Sequence, residues 1–87
     1  MDISERFAAN LAELREAAGF SQEELAFRAS IHRTQVSLME SGSRLPRFET
    51  LVKLVGALEV SPEALMKGIA WEPHVRTTGG LNISDPT

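Results

Sequence analysis

The residues whose chemistry is most suggestive lie on one short helix predicted near the middle of the chain. Its apolar side carries Val36 and Met39. The side chains left on its other side are Arg33, Thr34, Ser37 and Leu38. Arginine can donate two hydrogen bonds to guanine, hydroxyl groups can bond to any base edge, and apolar groups can contact the methyl of thymine. This face therefore has the residue types that read base edges in the major groove of DNA.

The distribution of charge favours the same interpretation, although the net charge does not. The chain has a formal net charge of −3, whereas contacts to phosphates need Lys and Arg. Residues 28–53, however, hold five basic side chains against two acidic ones, and residues 1–27 hold two against six. From composition alone, a chance cluster of basic residues on a solvated surface is as plausible as a DNA-binding face. The order of the residues along the chain is needed to distinguish the two.

Catalysis and metal binding have no support in the sequence. The absence of cysteine excludes disulfides, thiolate metal sites and cysteine nucleophiles. His32 and His74 are isolated and lack the spacing of paired metal ligands. There is no nucleophile elbow, no glycine loop that would cradle a phosphate and no histidine beside a candidate serine. We therefore predict a protein that is not an enzyme and needs no cofactor.

The chain length and the polar first residues predict one small cytoplasmic domain. Its 87 residues leave room for a single core. Residues 1–6 are polar and acidic with no apolar signal core behind them, and no apolar run approaches the ~20 residues that span a bilayer. No contact with a membrane is expected.

Apolar residues recur at helical spacing in five segments that are joined by short connections. These segments are predicted as helices at about 4–18, 21–30, 33–41, 46–58 and 61–69. The first carries an apolar stripe from Ile3 to Ala18, and the fourth carries another from Phe48 to Leu58. The pattern predicts an all-α, compact five-helix domain over residues 1–69.

Local signals mark where these helices begin and end. Gly19 and Gly42 are positioned to end the first and the third helix in the left-handed conformation. Ser21 and Glu24 form the pattern of a capping box at the start of the second helix.

Residues 70–87 lack the helical period and form a separate, short non-helical tail. Residues that could form strands flank a pair of glycines: Val75, Thr77, Leu81 and Ile83. A disordered tail and a strand or weak hairpin both remain open, and chain ends favour disorder. Trp71, just after the fifth helix, is expected to cover the end of the bundle.

A specific order of residues runs through most of the chain: Arg15, Gly19, the segment 21–26 (SQEELA), Ile31, Val36, the segment 39–42 (MESG), Pro46, Leu51, Leu58, Val60 and Ser61. In this order and spacing the sequence resembles the Cro/CI-type (XRE) helix-turn-helix family over roughly residues 4–69. The resemblance implies a lambda-repressor-like domain and a transcriptional regulator, expected to be a repressor, that binds double-stranded DNA sequence-specifically. It further implies a homodimer on a palindromic operator, with the third helix in the major groove.

The resemblance also implies roles for individual residues. The base-contacting positions match Arg33, Thr34 and Leu38, with Ser37 as a fourth. The positions that contact the DNA backbone match Gln22, Ser41, Arg44 and Arg47. An ion pair that ties the first helix to the end of the third matches Arg15 and Glu40.

The sequence departs from the family pattern in three ways. His32 replaces the usual capping residue before the third helix, so this start is expected to be weakly capped. Ser30 and Glu59 replace common turn glycines, which predicts local backbone strain. The acidic net charge predicts modest non-specific affinity and a strong dependence on salt and dimerisation.

Functions other than the regulation of transcription through DNA binding alone remain open. An antitoxin-like or phage-type regulator would also bind a protein partner, through the tail or through Phe27, which is expected at the surface. A protein-interaction module would keep the fold and lose DNA binding, which the basic segment 28–53 argues against. A nuclease is a remote third alternative. The dimer interface is expected on the fifth helix and the tail.

Overall fold

A computed structural model of the protein describes residues 1–73 and 79–84 and contains five helices followed by a small hairpin. The helices are α1 (Ile3–Ala17), α2 (Gln22–Ala29), α3 (Arg33–Glu40), α4 (Phe48–Leu58) and α5 (Pro62–Leu65). Two antiparallel strands, β1 (Ile69–Glu72) and β2 (Gly80–Ile83), follow them. The predicted five-helix domain is confirmed. None of the helices in the described ranges combines the length and the apolar character needed to cross a membrane.

Side chains that bond to the nearby backbone determine where α1 and α2 begin. The Asp2 carboxylate accepts from the backbone N–H of Glu5 at 2.9 Å, and the Glu5 carboxylate accepts from the N–H of Asp2 at 3.4 Å. This reciprocal pair satisfies two donors that a helix start leaves unbonded. Ser21 accepts from the N–H of Glu24 at 3.0 Å, but the Glu24 carboxylate pairs with Arg28 at 3.4 Å. Only half of the capping box predicted for α2 therefore forms.

Two residues with side chains adopt the left-handed conformation at helix ends. Ser30 follows α2 with φ of 55°, and Glu59 follows α4 with φ of 54°. This conformation costs a non-glycine residue about 1–2 kcal/mol, so the strain predicted at both positions is present. His32, before α3, makes no capping hydrogen bond through its side chain, as predicted.

The core lies among the helices and consists of apolar residues at helical spacing. Its fully buried side chains are Leu11, Leu25, Val36, Met39, Leu54 and Leu65. The stripe predicted for α4 also includes Phe48, but this side chain is 81% exposed. The prediction is wrong here because Phe48 is the first residue of α4. Helical side chains tilt toward the N-terminus, so the first one projects beyond the packed turns.

The chain after α4 differs from the predicted helix that ends at residue 69. α5 is a single turn, and Gly68, with φ of 79°, redirects the chain so that Ile69 starts β1. The tail contains a hairpin in which Trp71 lies opposite Leu81. Trp71 is 62% exposed and does not cover the end of the bundle, because β1 carries it past the helices. The positions His74, Val75 and Thr77, considered in the sequence, lie outside the described residues.

Two buried polar side chains of α1 hold the turn that leads into the hairpin. Arg6 Nε donates to the carbonyl of Lys67 at 2.9 Å. Asn10 Nδ2 donates to the carbonyls of Leu65 and Lys67, both at 2.9 Å. Arg6 and Asn10 are each 4% exposed. They thereby satisfy carbonyl groups that the end of α5 leaves without intrahelical partners.

Gly68→Ala should destabilise the protein by about 1–3 kcal/mol, the usual cost of a side chain in a sparsely populated backbone region. Gly68 has φ of 79°, and a Cβ added there would lie 2.7 Å from Arg6 Nε. The matched control is Gly56→Ala, inside α4, where an added Cβ meets no atom within 4 Å. That change should stabilise the helix by up to about 1 kcal/mol. Thermal unfolding measures both, and equal shifts would contradict the role given to Gly68.

Candidate nucleic-acid interface

Small residues and one left-handed residue bring α2 and α3 close together. Ala26 and Ala29 on α2 are 4% and 3% exposed. After the left-handed Ser30, the N–H of Ile31 donates to the carbonyl of Ala26 at 3.0 Å. α3 then begins at Arg33. Two short helices joined by such a tight turn form a helix-turn-helix unit.

α3 has one buried side and one open side. Val36 and Met39 are 0% and 1% exposed and fix the helix against the core. The four candidate base-contacting residues lie on the open side, with Leu38 half-buried and the others exposed: Arg33, Thr34, Ser37 and Leu38. Within the described part of the chain, Arg33 makes no ion pair and no side-chain hydrogen bond. Its guanidinium is therefore available to an external acceptor.

Arg15 and Glu40 form a bidentate ion pair between α1 and the last residue of α3. Arg15 Nε and Nη2 donate to the two carboxylate oxygens of Glu40 at 2.6 and 3.0 Å. Arg15 Nη1 also donates to the carbonyl of Phe20 at 2.8 Å. The two charged side chains are 16% and 7% exposed. The hydrogen bond to Glu40 raises the pKa of Arg15 against the opposing effect of burial, so the pair holds α3 as a charged unit.

Gln22, the first residue of α2, joins the same group of side chains. Its amide Nε2 donates to Glu40 Oε1 at 3.1 Å, so Glu40 connects α1, α2 and α3. An amide nitrogen carries two hydrogens, and one of them is left to donate to a phosphate. The N-terminus of a helix also favours an anion at this position. Sequence reasoning missed the contact with Glu40, because the resemblance gave Gln22 a role at the DNA backbone and paired Glu40 with Arg15 alone.

The hydroxyl group of Ser41 is already occupied. Ser41 Oγ donates to the carbonyl of Leu38 at 2.9 Å and lies 2.8 Å from Ser43 Oγ. Because a serine hydroxyl has a single hydrogen, Ser41 has none left for a phosphate in this conformation. A contact between Ser41 and the DNA backbone therefore requires Ser41 to release Leu38.

A groove of about 300 Å³ lies between α3 and the start of α4. Its lining includes Gln35, Arg44, Arg47 and Thr50, and both arginines are exposed. Arg47 precedes α4 without a capping bond through its side chain. Glu49, in the first turn of α4, lines the groove too, so two guanidinium groups and one carboxylate border it at the start of that helix. Gln35 and Thr50, which also line this groove, are not among the residues singled out in the sequence.

The helix-turn-helix unit, the open face of α3 and the basic groove beside it define a DNA-binding class of protein. The sequence model of the helix-turn-helix family HTH_3 matches residues 11–65. The chain belongs to this family, whose members are DNA-binding transcriptional regulators rather than enzymes.

Several relatives are similar to the chain over most of its length. An uncharacterised HTH-type transcriptional regulator of Bacillus subtilis, YqaE, is 30% identical over 80 residues, which are 92% of this chain and 69% of that one. The control protein C.SmaI of Serratia marcescens is 36% identical over 66 residues, 76% of this chain and 79% of that one. The crystal structure of the restriction-modification controller protein C.AhdI from Aeromonas hydrophila matches with a TM-score of 0.69 and 39% identity. That match covers 71% of this chain and 94% of the controller.

Proposed function

We propose that the protein regulates transcription as a homodimer that binds a palindromic operator with α3 in the major groove. The observation that carries this proposal is the open face of α3, formed by Arg33, Thr34, Ser37 and Leu38. The opposite side of α3 packs in the core, and the last residue of α3 forms an ion pair with α1. Side chains on a rigidly held helix can pair with base edges more accurately than side chains on a loop.

Three of the four remaining candidates lie at positions suited to phosphates, whereas Ser41 would first have to release the carbonyl of Leu38. Gln22 lies at the start of α2, and Arg44 and Arg47 line the groove at the start of α4. Backbone contacts fix the register of a protein on DNA without reading its sequence. The basic segment 28–53 supplies the positive charge that the rest of the acidic chain lacks.

Two copies are needed because one short helix contacts too few base pairs for specificity. In a two-fold symmetric dimer, the two α3 helices would enter the major groove about 34 Å apart, which is one turn of DNA. The operator would then have two half-sites related by the same symmetry.

The similarity to control proteins of restriction-modification systems supports a role in gene regulation, with repression as the expected mode. A regulator of this bacterial or phage type acts in the cytoplasm, on the nucleoid. An antitoxin-like protein on the same fold would bind DNA and a protein partner together. An interaction module that has lost DNA binding would give no salt-sensitive gel shift with random duplex DNA, whereas the proposed regulator gives one.

Selection of bound sequences from random duplex DNA, followed by footprinting, tests this function. The expected motif is palindromic, with half-sites about 10 base pairs apart. Footprinting should show protection of both half-sites at the same protein concentration. A non-palindromic motif protected by one chain would refute the dimer, and the absence of any enriched motif would refute sequence-specific binding.

A further inference from the structure

Glu40 accepts hydrogen bonds from α1 and from α2 at the same time. Arg15 Nε and Nη2 donate to its carboxylate oxygens Oε2 and Oε1 at 2.6 and 3.0 Å. The Gln22 amide donates to Oε1 through Nε2 at 3.1 Å. The Glu40 side chain is 7% exposed, so solvent supplies little of its hydrogen bonding. Because an ionised carboxylate accepts hydrogen bonds and donates none, Glu40 can bond to the Gln22 amide only through the amide nitrogen.

The orientation of the Gln22 amide decides what this side chain can offer to a ligand. The amide nitrogen carries two hydrogens, whereas the amide oxygen can only accept. Half a turn about the last side-chain bond exchanges the two atoms with little change in shape. Glu40 opposes that exchange, because it would place the amide oxygen against a carboxylate oxygen. Within residues 1–73 and 79–84, no other side chain bonds to the Gln22 amide.

The Arg15 guanidinium makes the Glu40 carboxylate compatible with a nearby phosphate. A lone carboxylate would repel DNA over about 8 Å at physiological salt. The bidentate pair is neutral as a whole, and the hydrogen bond to Glu40 raises the pKa of Arg15, so the guanidinium stays charged. Gln22 is the first residue of α2, where the end of the helix favours an anion. One amide hydrogen of Gln22 is bonded to Glu40, and the other remains for such an anion.

We propose that Glu40 is a positioning residue for the DNA contact of Gln22. It holds the amide so that a nitrogen-bound hydrogen, and not the amide oxygen, faces a phosphate at the start of α2. This inference rests on the phosphate contact proposed above for Gln22 and identifies the group that orients it. Without the Glu40 carboxylate, the amide presents its oxygen to the phosphate in part of the molecules. That loss weakens binding to every DNA sequence, because a phosphate contact does not depend on the bases.

Binding to a random-sequence duplex at low salt tests the proposal. Removing a negative charge should by itself strengthen binding to DNA. Glu24→Gln on α2, whose exposed pair with Arg28 lies at 3.4 Å, is the matched control and measures that gain. Glu40→Gln should instead weaken binding about five-fold, the usual scale of one hydrogen bond. The measurements are made at about 10 °C, near the temperature of maximum stability of most domains, on variants whose circular dichroism shows that they are folded. A gain for Glu40→Gln equal to that for Glu24→Gln would overturn the proposal.

Two substitutions of Gln22 separate this role from the support that Glu40 gives to α3. Gln22→Met removes the amide and should also weaken binding about five-fold. Adding Glu40→Gln to Gln22→Met should then cause no further loss, because two changes that remove the same contact are not additive. In a Gln22→Lys background, Glu40→Gln should likewise cause no loss, because an ammonium group has donors only and no acceptor to misplace. A further five-fold loss in either background would show that Glu40 acts through α3 and would overturn the proposal.

Nuclear magnetic resonance of the Gln22 amide observes its orientation directly, and the chain has only one other glutamine, Gln35. In the free protein, the hydrogen bonded to Glu40 should resonate downfield of its position in an exposed glutamine, and Glu40→Gln should return it to that position. Addition of the random duplex should shift the second hydrogen. A protein that binds DNA while both amide hydrogens of Gln22 keep their resonances would overturn the inference and leave the proposed regulator standing. A folded chain that binds neither the random duplex nor any selected sequence would overturn both.

Discussion

Glu40→Ala should lower the free energy of unfolding by about 3 kcal/mol, because it leaves the Arg15 guanidinium largely buried without its carboxylate. The two side chains are 16% and 7% exposed and share two hydrogen bonds, so solvent compensates little for the loss. Gln22 loses its acceptor as well. At about 4–8 °C per kcal/mol for a domain of this size, the melting temperature should fall by at least about 12 °C.

The control for this change is an ion pair that is exposed to solvent. Lys53 and Glu49 on α4 lie 3.5 Å apart with side chains 39% and 82% exposed. Because exposed pairs of this spacing contribute roughly 0.5 kcal/mol or less, Glu49→Ala should hardly change the melting curve. Unchanged melting curves for both Glu40→Ala and Arg15→Ala would contradict the role given to the pair.

Under the role proposed for α3, Arg33→Ala should relax the base preference at one position in each half-site of the proposed operator. Arg33 is exposed in the first turn of α3 and has no ion-pair partner among residues 1–73 and 79–84. A guanidinium bonded to O6 and N7 of guanine contributes roughly 1–3 kcal/mol of discrimination, and a dimer makes the contact twice. Selection from random DNA with the wild-type and variant proteins should show the loss at that position alone.

Arg47→Ala is the matched control, because the proposal gives Arg47 a phosphate and no base. Affinity should fall by a similar factor for all sequences, and the slope of binding against salt should decrease by about one unit per protomer. The selected motif should remain that of the wild type. If Arg33→Ala keeps the wild-type motif and Arg47→Ala alters it, the two roles are assigned wrongly.

The helical part of the fold could be predicted because its signals are local. Val36 and Met39, three positions apart, are both buried, as the helical period requires. Gly19, two positions after the last residue of α1, has φ of 78°, as the glycine at this position predicted. Such features depend on residues within one or two turns, so one sequence is enough to reveal them.

The chain after α4 could not be predicted in the same way. Leu65 and Ile69 are four apart and suit a helix, yet Ile69 equally suits a strand whose alternate residues share a face. The outcome depends on the left-handed Gly68 and on Arg6, which bonds to the carbonyl of Lys67 from 61 positions away. Contacts over such distances leave no trace in a local pattern.

In the candidate site, too, local features could be predicted from the sequence and contacts between distant segments could not. The residue types on the open face of α3 could be recognised from spacing, because exposure follows from the helical period. The bond from Gln22 to Glu40 and the occupied hydroxyl of Ser41 depend on how separate segments pack and on side-chain orientation. These details became visible only in three dimensions.

The most direct test of the central claim is the affinity for the selected operator compared with a scrambled duplex of the same length, at physiological salt. Fluorescence anisotropy on labelled DNA measures both affinities, and sedimentation of the complex gives the number of chains per duplex. A sequence-specific dimer should bind two chains per operator and prefer it by at least about 10³-fold, the usual lower bound for such proteins. Equal affinity for the two duplexes, or one chain per operator, would contradict the account.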